Sequence, residues 1–454
     1  MKTISSMFLV VILTGAGVST RAQEVAIPDP GLNGAIRETL QKPIGPLTEQ
    51  DLLTLTNLSA SGRQISSVEG LETARNLSIL DLHSNSLTNF PIAGALTNLS
   101  ILDLFNNRLD SFVLSNALPR LNILDLGFNA LAHCSLPTGL QNLDTLFLES
   151  NVLTNLNLPS GLTGLTQLDL ADNRLPSLTF PADVTNLVSA SLFANQLTNL
   201  ALPANMNRLV SLDLDFDHLQ NFEFPAGLTS LSTFLARNNQ LTSLTFRADM
   251  TNLTFVDVGG NQLVNLTLPA GLSRLNFLRL SDNKLTSFAL PSGLTNLAAL
   301  FLQNNRLTSV SFSPDLIRLI QIDLRTNNLT SLTLPPDMTS LTALTLTGNP
   351  LTTLVLSELL AGSSLAAVVA TLQSQGVSVF KYSLTINLVR PRPLVGALQF
   401  GIIGPPGIYA VLNSPDLVNW SELGFTTNTL GEINFTDTTS HLSPQQFYRA
   451  RLAP

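Results

Sequence analysis

Apolar and polar positions along this chain recur with a period of 22 residues. Asn stands at 85, 107, 129, 151, 173, 195, 239, 261, 283, 305, 327 and 349, and Asp217 fills the one gap. Two residues after each of these thirteen positions comes Leu, from Leu87 to Leu351. A typical unit reads N-x-L-T-x-L-x-L-P-x-G-L-T-x-L-x-x-L-x-L-x-x. Side chains alternate on a strand, so the leucines of L-x-L point inward and the residue between them points out. Each unit therefore predicts one short parallel strand, with the Asn at a bend after it, where its amide pairs backbone groups inside the turn. One unit buries about seven apolar side chains, a gross gain of ~10–20 kcal/mol. Ordering its residues costs ~1.5 kcal/mol each, which is more. No unit folds alone, and stacking is obligatory.

The return half of the unit sets the spacing. LTNLNLPSGL (153–162) and LTSLTLPPDM (329–338) carry a second L-x-L pair, then Pro and often Gly, with no room for an ordinary helix. A helix would hold neighbouring turns ~10 Å apart, whereas an extended segment holds them ~4.8 Å apart, like the strands opposite. The expectation is a gently curved β-rich solenoid with a parallel inner sheet and extended return segments, its fourteen turns spanning roughly 65 Å.

LTALTLTGNPL (341–351) and LAALFLQNNRL (297–307) fit L-x-x-L-x-L-x-x-N-x-L at every fixed position. The chain thus resembles the leucine-rich repeat family over about residues 55–356, including an atypical first turn, LTNLSASGRQI (55–65), with Arg63 where Asn would sit. A solenoid needs caps. Asp29-Pro30 reads as an N-cap followed by Pro at the first helical position, and Thr48 with Asp51 as a capping box. Residues 23–54 then form a helical N-terminal cap that resembles that of internalin-like bacterial proteins. At the other end, residues 357–382 predict a C-terminal cap. Ser363 or Ser364 opens a helix whose Leu365, Val368, Val369 and Leu372 share one face, Gly376 ends it, and VSVFKY adds a strand. The period is lost beyond it. Short strands between Gly, Pro, Asn and Asp turns make 383–454 a small antiparallel, β-sandwich-like module with Trp420 in its core. This module resembles one carried by secreted proteins of environmental bacteria. Residues 1–22, with Lys2, the apolar run Met7–Leu13 and small residues before Gln23, read as a secretory signal peptide cleaved after Ala22. The product is expected to be secreted, periplasmic or at the cell surface, with no membrane insertion after cleavage.

Composition narrows the chemistry. Leu makes up about a fifth of the 454 residues, charged residues 12%, and the formal net charge is −8. Nucleic acid and anionic membranes call for clustered Lys and Arg, and neither is an expected partner. The single cysteine, Cys134, permits no intramolecular disulfide and falls in a core column, as a buried structural thiol. His83, His133, His218 and His441 form no metal-ligand spacing, and no nucleophile-elbow or phosphate-loop motif is present. The expectation is a non-enzymatic protein without cofactor or metal.

What remains is surface. Seven of the thirteen residues between the inward leucines are Asp: 81, 103, 125, 169, 213, 257 and 323. This stripe reads either as a site for a cationic partner or metal, or as a solubilising surface. Asp213, Asp215 and Asp217 alternate, which reads as a hard-cation site or as ordinary repeat positions with one unusual member, Asp215. Outward apolar residues form two groups, Ile79, Ile101, Phe105, Ile123 and Phe147, then Phe255, Phe277 and Phe301. Such groups mark interaction surfaces. The return side repeats nearly the same residues in every turn, so the inner sheet is the expected binding face, for a protein or peptide. The alternative is a structural cell-envelope or polysaccharide-binding repeat protein.

Overall fold

The computed structural model describes residues 23–115, 118–440 and 445–453; the expected signal peptide, residues 1–22, lies outside them. Fourteen three-residue strands, from Asn57–Ser59 to Ala343–Thr345, pair in parallel and in register, each residue opposite the one 22 positions on. The middle residue of each strand is buried and its two neighbours face outward, as alternation requires. The return segments are extended. They form four further ladders, among them Ser111–Val113 with His133–Ser135 and Ser243–Thr245 with Asn265–Thr267. One continuous apolar core runs from Ile27 to Val377 between the two sides. Cys134 is buried in it, and burial pushes its thiol up to about 12, so it stays a neutral packing group.

The repeat asparagines are bonded as their spacing suggests, and all but Asn129 and Asn349 are buried. Asn261 Oδ1 accepts the Leu241 N–H at 3.0 Å, while Nδ2 donates to the carbonyls of Ala236 and Val258 at 2.8 and 3.0 Å. One side chain therefore ties its own turn, at Val258, to the preceding one, at Ala236 and Leu241. Asn261→Ala leaves those groups unpaired in the core and is expected to cost about 1–3 kcal/mol. Chemical denaturation checks this; several such variants unfolding like the parent would contradict a structural role.

Two regularities were not read from the sequence. The residue before each repeat Asn or Asp is left-handed, from Ser84 at φ 55° to Gly348 at φ 79°. A second amide ladder also runs along the entry to the strands, where Asn98, Asn186 and Asn252 Nδ2 donate to carbonyls 23 residues back.

Helix α1 (Pro30–Thr39) is capped by Asp29, and α2 (Glu49–Leu52) carries the Thr48–Asp51 capping box. Asp29 does more than cap. Its Oδ2 accepts the Ser66 and Ser67 N–H groups at 2.8 and 3.2 Å, which seats α1 on the first turn. Gly31 permits that approach, because a Cβ there would meet the Arg63 carbonyl oxygen at 2.4 Å. At the far end come α3 (Glu358–Gly362) and α4 (Ala366–Ser374). Neither Ser363 nor Ser364 caps α4. Ser363 donates back to Leu359 and Ser364 to Leu341, while Ser357 caps α3. The serine hydroxyls find carbonyls on α3 and the last turn before they can serve the next helix. Strand Ser378–Tyr382 pairs in parallel with Thr353–Ser357, and the buried Tyr382 hydroxyl donates to Leu334 O at 2.7 Å.

The C-terminal module is two antiparallel three-stranded sheets around Phe400, Ile402, Tyr409 and Val411. Trp420 is not in that core. It stands half-exposed after the Ser414–Asn419 turn, its Nε1 donating to Leu417 O and the Arg449 guanidinium 4.2 Å from its ring. A neighbouring cation and a local carbonyl satisfy the indole at the surface.

Candidate binding face

Three columns of side chains stand outward on the sheet: the first and third residues of each strand, and the residue two beyond. The Asp column lies in the second of these, and its chemistry is local. In all seven turns the Asp Oδ1 accepts the N–H two residues on, at 2.9–3.1 Å. The carboxylate closes the end of its own strand, as Asp does in Asx turns. Asp215 makes the exception intelligible. Leu235 stands in the Asp column and cannot accept, so the Arg237 N–H turns to Asp215 Oδ1 at 2.5 Å in the preceding turn, with Nε and the guanidinium tip on Oδ2 at 2.6 Å. Asp217 points inward into the asparagine ladder. Asp213, Asp215 and Asp217 therefore serve three separate tasks and do not converge on a cation. Asp81, His83 and Asp103 do place three donor atoms within 4.8 Å of one another. Their Asp81 and Asp103 carboxylates are both engaged with backbone N–H groups.

All eight singled-out apolar residues are half-buried and outward. Ile79, Ile101 and Ile123 pair in register on adjacent strands. Phe255 and Phe277 stack with centroids 4.2 Å apart and planes at 1°, Phe301 follows at 5.3 Å, and Arg279 lies 5.4 and 5.2 Å from the Phe277 and Phe301 rings. In the first group the rings do not touch one another. Phe147 sits between Asp125 and Asp169 in the Asp column, and Phe105 packs on Phe128 at 5.0 Å.

Phe128, half-exposed at φ 53°, and Phe216, half-exposed at φ 60°, are additions that sequence reasoning missed. Both occupy the left-handed column, where a bulky side chain is costly. Each rests on an outward Phe of the preceding turn, Phe216 against Phe193 at 5.4 Å. The signal was available: other members of that column are mostly Asn, Asp, Gly and Ser, so a Phe there breaks the local rule.

Burial dominates the electrostatics of the acidic column. Burial raises the Asp125 and Asp213 carboxyls to about 6 and Glu149 to about 7, and lifts Asp103, Asp169 and Asp257 as well. At the end of the array, a cavity of about 530 Å³ lies between the last turn and α4, lined by Leu344, Leu351, Val368 and Leu372.

In-register parallel stacking, a buried asparagine ladder and a capped apolar core define a leucine-rich repeat array. The model of the BspA type leucine rich repeat region matches residues 143–256 and 258–361 in six copies. No curated protein matches the chain in sequence. Among solved structures, an internalin, InlF of Listeria monocytogenes, is 22% identical with a TM-score of 0.54, over 80% of this chain and 96% of its own. The functional domain of InlJ from the same species is 18% identical with a TM-score of 0.50, over 83% and 94%. The leucine-rich effector YopM of Yersinia pestis is 24% identical with a TM-score of 0.50, over 71% and 88%. These likenesses establish the fold. No helix among the described residues is long and apolar enough to cross a membrane.

Proposed function

We propose that the chain is an exported, non-enzymatic binding protein that holds a protein or peptide ligand against the outward face of its fourteen-stranded sheet. The observation that carries this reading is the pair of aromatic groups on that face, each combining strand Phe with a neighbouring apolar or cationic side chain. Rigid, half-exposed aromatics on an ordered scaffold present contact area at little entropic cost. The left-handed Phe128 supports the same reading, since strained backbone persists where something depends on it. Residues 1–22 supply the export signal and 383–454 a separate module at the end of the array. Polysaccharide gripping is the second reading, favoured by the flat Phe255–Phe277 stack alone.

Two experiments test it. Partner captured on the chain from Gln23 onward should be lost when face residues are changed and retained when return-side prolines such as Pro159 and Pro291 are changed. Capture that depends on the prolines and ignores the face would overturn the assignment. Phe128→Asn separates stability from binding: relief of the left-handed Phe should raise stability by ~1 kcal/mol while partner affinity falls. Thermal denaturation and titration of the same variant read both quantities.

A further inference from the structure

The two ends of the sheet face differ in charge. Across the strands from Ile79 to Asp213 the outward columns carry Asp81, Asp103, Asp125, Glu149, Asp169 and Asp213, with no Lys or Arg. From Thr233 onward they carry Arg237, Arg279 and Arg325, each in an ion pair with Asp215, Asp257 or Asp323. Among the described residues, no ion pair reaches Asp103, Asp125, Glu149, Asp169 or Asp213. Arg108 and Arg174 lie past the bend, exposed on the rim.

The centre of this acidic stretch has a built form. The Glu149 carboxylate lies over Gly127, where an added Cβ would come within 2.4 Å of Oε1. Its Oε2 is buried and has no hydrogen-bond partner. Asp125 and Asp169 flank it closely enough to disfavour its ionisation further, beyond the larger effect of burial. Glu149 is thus pressed onto glycine beside two carboxylates, with one oxygen left without a partner. Its apolar surroundings are the isoleucine row, Phe147 and the Phe105–Phe128 pair.

We infer that the stretch from Ile79 to Asp213 docks a basic, apolar peptide segment of a partner protein. Its Lys or Arg side chains lie over Asp125, Glu149 and Asp169, and its apolar side chains rest on the isoleucine row and the Phe cluster. The inference rests on the reading of the sheet as the binding face, and adds the chemistry of the occupant.

The test uses three synthetic peptides, alternating Leu with Lys, Glu or Ser, titrated by fluorescence anisotropy against the chain from Gln23 onward. The Lys peptide should bind at least tenfold more tightly than either other. A variant carrying Asp125→Asn, Glu149→Gln and Asp169→Asn keeps the strand-end hydrogen bonds through its amide oxygens, and should lose that advantage. A control carrying Asp110→Asn, Glu223→Gln and Asp337→Asn removes the same charge from exposed positions off the face and should bind like the parent. Equal loss in both variants would overturn the inference as general attraction to an acidic protein. Preference for the Glu or Ser peptide, abolished by Phe105→Ala with Phe147→Ala, would overturn the cationic occupant while leaving the face reading intact. Binding indifferent to every face substitution would overturn both.

Discussion

Replacing Phe105 and Phe147 together by Asp is expected to weaken partner binding roughly 100-fold and leave the array folded. Covering one half-buried Phe contributes up to ~1.5–3 kcal/mol, and every 1.4 kcal/mol is about tenfold in affinity. Both side chains point away from the core, whose Leu102, Leu104, Leu146 and Leu148 are untouched and fully buried. Asp suits position 147 in particular: it is the common residue of that column, and its carboxylate can accept the Glu149 N–H as Asp125 accepts that of Gly127. Phe277→Asp with Phe301→Asp should act likewise at the second group, freeing Arg279 from both rings. Calorimetric titration against the captured partner measures the loss, and circular dichroism checks the fold. Full binding by both double variants contradicts the assignment.

The second large effect concerns Asp217. The asparagine ladder runs unbroken on either side of it, with amide nitrogens donating to carbonyls 25 and 3 residues back. At 217 those carbonyls belong to Leu192 and Leu214. Asp217 accepts the Leu197 N–H through Oδ1 at 2.8 Å, but its buried Oδ2 has no partner. Only a protonated carboxyl can donate there. Burial, with some repulsion from Asp213, raises the group to about 7. Asp213 stands on the outer column and the Asp215–Arg237 pair beside it, so no cation reaches the inward carboxyl.

The sign follows directly. The folded value lies above the unfolded one near 3.9, so protonation stabilises the fold. That contribution is complete below pH 4 and is lost as pH rises through 7. Asp217→Asn restores the missing donor at every pH. It is expected to stabilise the array by about 3–4 kcal/mol at pH 8 and by little at pH 4. Denaturation of parent and variant across that range isolates Asp217 from the other raised carboxyls, because those are common to both. A difference that does not change with pH contradicts the account.

These cases also show what the sequence carries. The strands, the asparagine ladder and the core leucines were legible because one period of 22 repeats thirteen times without slippage. The outward direction of all eight apolar face residues followed from alternation alone. The Asp column was legible as a column but not as a set of strand-end acceptors, because its meaning lies in a bond to the backbone two residues on. Phe128 and Phe216 were passed over because the column before the repeat Asn looks like loop, although its Asn, Asp, Gly and Ser members mark a left-handed bend. Trp420 was misplaced by treating the one indole as core. Arg449, 29 positions away in sequence, gives it a surface partner that no local pattern announces. The contrast between an acidic stretch without ion pairs and one whose carboxylates are paired with Arg emerges only when all three outward columns are read together.

The central claim is that the ligand covers the sheet face. Hydroxyl-radical footprinting of the complex, read residue by residue by mass spectrometry, tests it most directly. The account predicts that oxidation of Phe105, Phe128 and Phe147, or of Phe255, Phe277 and Phe301, falls sharply on binding while the return-side prolines from 137 to 335 oxidise as before. Protection of the return side with unchanged oxidation of both Phe groups would contradict it.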